Sequence, residues 1–335
     1  MPYSRHRKND LLNKIINALN DDGWNVLFLH DPRDHPFDLR IFNENETHDI
    51  KIYVWNLTHG GGAARAADEY RIQITGVNQF ESFQNGKVLI LGWWDEGQVF
   101  AGFDFNFHRE VLGHSPSIQI KEEALRNGYV NGFGIWQKGN NEIAIAIRPD
   151  FLGEYIKRLE ELHSFGESPQ DLALLDNVIE NPTINNVQIE QVTIERRETV
   201  QIIRKKIRDN SFKNRVLTAY SGSCAFCGVQ LKLVDAAHII PVENNGTDET
   251  SNGIALCALH HRAYDRRLIA FDETYRIMVN VNQMNNLTSL SLDGGRENFE
   301  NSLRPIIILP PAINDRPHID FIREANKIRG WTLSL

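Results

Sequence analysis

At 335 residues, 41% hydrophobic and 24% charged, the chain has the apolar content of an ordinary globular protein and the length for two domains. Its formal net charge of -8 is opposite in sign to the bulk charge usual for a nucleic-acid binder. No apolar run approaches the roughly 18 residues of a membrane span, and three cysteines, an odd number, argue against a secreted disulfide framework.

The opening MPYSRHRKNDLL carries no apolar core of the kind a signal peptide needs, so a cytoplasmic protein is expected. Residues 1–165 are expected to form one α+β domain. Leu11, Leu12, Ile15, Ile16 and Leu19 recur at helical spacing over 9–19, and Asp21-Asp22-Gly23 ends that pattern. Stretches at 25–29, 49–54, 70–75, 87–92, 98–105 and 142–147 are short, partly alternating and bounded by Gly, Asn or Asp. They predict a mostly antiparallel sheet. A helix over 150–162, started after Pro149, would close the domain. The glycine-rich stretch Gly60-Gly61-Gly62, between Trp55 and Arg65, matches no nucleotide-binding fingerprint. It would allow close backbone approach to a phosphate or base, or form a plain hairpin turn.

Residues 166–190 hold Gly166, Pro169 and Pro182, with Asp176, Asn177, Asn181, Asn185 and Asn186, and read as a linker interrupted by a short apolar turn. The remainder, 191–335, is expected as a second domain with its chemistry at 220–273. Charge placement matters here more than its sum, because phosphates feel fields only within a Debye length of roughly 8–10 Å. From Ile194 to Tyr220 the basic residues are Arg196, Arg197, Arg204, Lys205, Lys206, Arg208, Lys213 and Arg215, against Glu195, Glu198 and Asp209. Arg204, Lys205, Lys206, Arg208, Lys213 and Arg215 are therefore candidates to contact DNA phosphates. The alternative is a solvated helix face.

Cys224 and Cys227 form a Cys-x-x-Cys followed by Gly228, a tight turn that lets two thiolates grip one tetrahedral zinc. Cys257-Ala-Leu-His260 supplies a second pair at the same spacing. All three cysteines thus fall in one Cys3His constellation, which three reduced core cysteines would not explain.

Between and after these pairs stand His238 in Asp235-Ala-Ala-His-Ile-Ile-Pro241, Asn252, and His261 directly after His260. In that order they resemble the HNH endonuclease family, whose pattern is His-Ile-Ile-Pro, a loop, Asn, then Leu-Cys-x-x-Cys-His. One zinc cysteine of that pattern is His260 here. Phe212-Lys-Asn-Arg-Val-Leu-Thr-Ala-Tyr220 resembles the helix that precedes the knuckle in restriction-type members, so the likeness covers roughly the C-terminal 140 residues.

The resemblance implies a ββα-metal fold, a β-hairpin followed by a helix, that hydrolyses DNA with one divalent metal, Mg²⁺ or Mn²⁺, beside the structural Zn²⁺. It implies His238 as general base, His261 as metal ligand, and Asn252 as the residue fixing the loop or the base. Many members place an acidic or histidine ligand immediately before the base, where this chain has Ala237. Asp235 and Asp265 are the candidates to replace it. The N-terminal domain is then inferred to select the double-stranded DNA, as in restriction enzymes. One centre cutting one strand implies a homodimer or paired nicking. A zinc-dependent DNA-binding module needs neither His238 nor Asn252, and a killing nuclease would carry translocation segments that nothing in the sequence resembles.

Overall fold

A computed structural model describes residues 5–59, 66–183, 189 and 192–331. The chain divides into two compact units, Met1–Ile207 and Arg208–Leu335.

In the first unit the 9–19 periodicity is helix α1, Lys8–Asp21, which buries Leu11, Leu12, Ile15, Ala18 and Leu19. Gly23, at φ +85°, turns the chain out of it. Strands β1 (Asn25–Phe28), β2 (Phe37–Phe42) and β3 (Thr47–His59) follow as an antiparallel meander. β4 (Glu69–Gln73) pairs with the end of β3, and β5 (Lys87–Trp94) runs parallel to β3. β6 (Val99–Phe103), β7 (Ser117–Lys121), β8 (Phe133–Gln137) and β9 (Ile143–Ile147) pair antiparallel, completing a nine-stranded sheet in the order β1-β2-β3-β5-β6-β9-β8 with β4 and β7 off that path. The expected α+β class with a mostly antiparallel sheet is borne out.

The period of two sorts β3 between two cores. Ile50, Ile52 and Val54 face one, with α1; Tyr53, Trp55 and Leu57 face the other. Helix α2 (Glu122–Asn131) lies on the sheet through Gly128, where a Cβ would stand 2.7 Å from that of Ala146 on β9.

Three strands, β2, β7 and β8, and helix α2 are absent from the sequence reading. The helix expected over 150–162 is broken into α3 (Leu152–Lys157) and α4 (Leu159–Ser164) at Arg158. Within 166–190, expected as a linker, α5 (Pro169–Glu180) forms instead. Ser168 Oγ caps it by accepting from Asp171 N, Pro169 occupies its first turn, and Leu172, Leu175, Val178 and Ile179 join the core of the first unit. The glycines at 60–62 and Arg65 lie outside the described residues, as do 184–188. Among the described residues no helix is long and apolar enough to cross a membrane.

The boundary between the units falls within α6, Ile194–Ala219. The second unit is built on the hairpin of β10 (Val234–His238) and β11 (Gly253–Cys257), in register Val234↔Cys257 to His238↔Gly253. Helix α7 (Ala258–Asp265) follows β11 without a gap, giving the expected ββα unit. A small hairpin, β12 (Ile269–Phe271) with β13 (Ile277–Val279), packs behind it. Phe212, Val216, Phe226, Ile254, Leu256, Tyr264, Phe271 and Ile322 share its core.

Candidate catalytic and metal centre

Two thiols come from the turn after α6 and two donors from the β11–α7 junction. Gly228, at φ +85°, lets its N–H donate to Cys224 O at 2.8 Å and so folds the knuckle back. Cys257 ends β11 and caps α7, whose first turn carries His260. The Sγ atoms of Cys224, Cys227 and Cys257 and a ring nitrogen of His260 all lie within 4.8 Å of one another. His260 Nδ1 faces the sulfurs, 3.5 Å from Cys224 and 3.2 Å from Cys257, while Ser302 Oγ stands 3.3 Å from Nε2. Burial opposes ionisation of Cys224, but hydrogen bonds from His260 and the backbone outweigh it and bring the thiol down to about 6. Burial and the neighbouring sulfurs push Cys227 up to about 12. Crowded thiols that resist joint ionisation are what a cation resolves. Three sulfurs and one imidazole nitrogen in so small a buried space fit tetrahedral zinc.

His238 ends β10 opposite Gly253. A Cβ at 253 would lie 2.2 Å from Val216 Cγ2, so glycine is what lets α6 cross the hairpin there. Phe212, one turn before Val216 on α6, stacks flat on the His238 imidazole, with centroids 3.8 Å and planes 6° apart. His238 Nε2 lies 3.2 Å from Asp248 Oδ1. Asp248 also accepts from Arg208 Nε at 3.0 Å, and Arg215 Nη2 donates to its backbone oxygen at 2.6 Å. Burial works against the Asp248 charge, yet Arg208 and His238 hold its carboxyl below the ordinary range.

Asn252 is fully buried. Its Oδ1 accepts from Ile240 N at 2.9 Å, and Nδ2 donates to Ile240 O at 3.1 Å and Thr247 O at 2.8 Å. Both amide hydrogens are thus committed to the loop between the strands, and of the two roles implied for Asn252 the contacts are those of loop fixation.

His260 and His261 are consecutive on α7, about 100° apart around the helix, so one faces the sulfurs and the other leaves them. His261 Nε2 stands 3.6 Å from Asp265 Oδ2, one turn on. Asp235 is placed differently. Three residues from His238 on one strand, it projects to the opposite face, is 57% exposed, and pairs with Lys213 at 3.2 Å. Of the two sequence candidates to accompany His261, the structure brings Asp265 to it and not Asp235. Among the described residues the Cys3His set is the one group of three or more potential ligands drawn together, and His261 and Asp235 stand outside it.

The basic residues of α6 are mostly engaged within the chain. In the first unit Arg204 donates to Pro182 O at 2.8 Å and Lys206 pairs with Asp22 at 2.5 Å. In the second, Arg208 and Arg215 brace Asp248 and Lys213 pairs with Asp235. Lys205 is exposed. Sequence reasoning missed Asp248 and Ser302, since neither stands at a motif spacing.

Residues 224–272 match the family described as HNH endonuclease. Residues 48–156 match the family described as Methylase-associated X1. No curated protein matches the chain. Among solved structures, a protein titled "Modification dependent TagI restriction endonuclease" aligns over 84% of this chain and 81% of its own, at 10% identity and a TM-score of 0.30, a likeness too low to establish a shared fold.

Proposed function

We propose that this chain, whose residues 224–272 are an HNH endonuclease domain, is a restriction-type endonuclease that hydrolyses double-stranded DNA with the help of two metals. The observation that carries the reading is the placement of His238 at the end of a zinc-type stapled hairpin, its ring held by Phe212 and Asp248, inside the segment that matches the nuclease family.

His238 is the base. Its ring takes a proton from the attacking water, the new phosphorus–oxygen bond forms, and the 3′ oxygen leaves with its bonding pair and is protonated from solvent. His261 and Asp265 would hold a divalent cation, Mg²⁺ or Mn²⁺, which supplies charge stabilisation at the phosphate and the leaving oxygen. Cys224, Cys227, Cys257 and His260 would hold structural Zn²⁺, which fixes the hairpin to the helix. Asn252 holds the loop that carries Asp248. Lys205 and the exposed faces of Arg208 and Arg215 offer phosphate contacts, which position DNA without reading it.

The N-terminal unit, most of whose sheet lies in the methylase-associated match, selects the DNA, with base modification as the feature read. The enzyme acts in the cytoplasm as a homodimer, one centre per strand. Digestion of plain, cytosine-methylated, hydroxymethylated and adenine-methylated plasmids in Mg²⁺ and in Mn²⁺ tests this. Cleavage that depends on the modification supports it; equal cleavage of all four removes the modification reading and leaves the nuclease.

A further inference from the structure

We infer that Asp248 is the positioning residue of the hydrolytic site, a carboxylate that accepts the Nε2–H of His238 and so presents Nδ1 as the atom that takes the proton. The inference rests on His238 being the base, and it says which of its two nitrogens works and what holds it.

A neutral imidazole carries one N–H and one lone pair. Which nitrogen holds the proton is set by the partner of the other. Asp248 Oδ1 stands 3.2 Å from Nε2, and an ionised carboxylate only accepts. Nε2 therefore carries the hydrogen and Nδ1 the free pair. The carboxylate is itself divided between partners: Oδ1 faces His238, while Oδ2 accepts from Arg208 Nε at 3.0 Å. Arg215 fixes the backbone of the same residue through its carbonyl. Asn252 Nδ2 holds the preceding carbonyl, Thr247 O, at 2.8 Å. Phe212, parallel to the ring, holds its plane, and of the two orientations a half-turn apart in that plane the one observed puts Nε2 at Asp248.

Every contact needed to fix the base is thus present, and each serves the same end. Asn252 sets Thr247, the chain carries this one residue on to Asp248, and Asp248 sets His238. When the imidazole is protonated during reaction, the same carboxylate stabilises the cation that forms, in the manner of the aspartate in a hydrolytic triad. The side chain of Asp248 is taken up by His238 and Arg208. It acts through His238.

The test uses full-length protein with ¹⁵N-labelled histidine, His238 being assigned by its loss in His238→Ala. In the wild type the nitrogen shifts of His238 should be those of a protonated Nε2 and a bare Nδ1. Asp248→Ala should mix the tautomers and lower kcat about 10- to 100-fold, by analogy with the loss of a partner that orients a metal-ligating histidine. KM for DNA and the divalent-metal concentration for half activity should stay near wild type, because Asp248 is placed on His238 and not on the metal ligands. Asp248→Asn, which keeps an acceptor without the charge, should retain the tautomer with a smaller loss, and Asp248→Glu should recover part of the rate.

An unchanged tautomer and rate in Asp248→Ala overturns the inference. So does a loss confined to KM, or about a tenfold rise in metal requirement, which would make Asp248 a metal ligand. If the wild type and His238→Ala cut DNA equally, it is the nuclease reading of His238 that fails, and the tautomer measurement still decides the contact.

Discussion

The imidazole of His238 lies flat on the phenyl ring of Phe212, centroids 3.8 Å and planes 6° apart. Phe212 is 3% exposed and belongs to the core of the second unit, so one side chain both packs α6 onto the hairpin and holds the plane of the His238 ring. Phe212→Ala should lower stability by about 3–5 kcal/mol and lower kcat in the fraction that remains folded. Phe212→Leu, which keeps volume but not the flat face, should be milder in thermal denaturation and should still lose rate. Wild-type rate in Phe212→Leu would show that the stacking does not orient the ring.

The cysteines should govern folding. Cys224→Ser or Cys257→Ser removes a buried donor from the Cys3His set, and structural zinc contributes folding free energy directly. Each variant should lose zinc by elemental analysis and unfold its C-terminal unit at lower temperature. Ser302→Ala, which removes the partner of His260 Nε2, should retain zinc but bind it about 10- to 100-fold more weakly in chelator competition. Wild-type protein purified without zinc would refute the assignment of this metal.

Asn252→Ala leaves the buried Ile240 N–H and C=O without partners. Each unmet backbone group costs about 1–3 kcal/mol. The variant should therefore show a clear fall in melting temperature along with reduced activity. Asn252→Ala with full stability and no activity would instead place this amide on the substrate.

His261 and Asp265 are expected to set the divalent-metal requirement without touching zinc. His261→Ala and Asp265→Ala should each raise the Mg²⁺ or Mn²⁺ concentration needed for half-maximal cleavage, by about 10-fold or more if the residue is a direct ligand. Zinc content should not change. Asp235→Ala, which removes only an exposed partner of Lys213, should leave the requirement where it was. A reversed pattern, with Asp235→Ala raising it and Asp265→Ala not, would overturn this choice of ligand.

The C-terminal site was legible because its metal donors announce themselves by spacing. Cys224/Cys227 and Cys257/His260 repeat the same interval, and the structure draws all four together. Asp248 gave no such signal, since it stands in a loop and reaches His238 only through the path that Asn252 imposes. The basic run on α6 was legible as charge, but charge read from sequence says nothing about partners within the chain, and Arg208, Lys213 and Arg215 are bound to Asp248, Asp235 and Asp248 in turn.

In the N-terminal unit, β2 alternates as a strand should, with Phe37, Leu39 and Ile41 buried, yet Asp38 and Arg40 between them and the polar flanks obscured it. β8 contains Gly134, and its burial comes from packing that no local pattern carries. In α5 the helical spacing of Leu172, Leu175, Val178 and Ile179 was outweighed by the prolines and asparagines around it, although Ser168-Pro169 is a start signal for such a helix.

In the proposed mechanism His238 supplies the base for DNA hydrolysis. Single-turnover cleavage of a substrate plasmid by wild type and by His238→Ala, in Mg²⁺ and in Mn²⁺, with zinc content and DNA affinity measured on the same preparations, tests it most directly. If His238 is the base, the variant loses about 10²–10⁴ in rate with zinc and binding unchanged. A His238→Ala protein that cuts at the wild-type rate would contradict it.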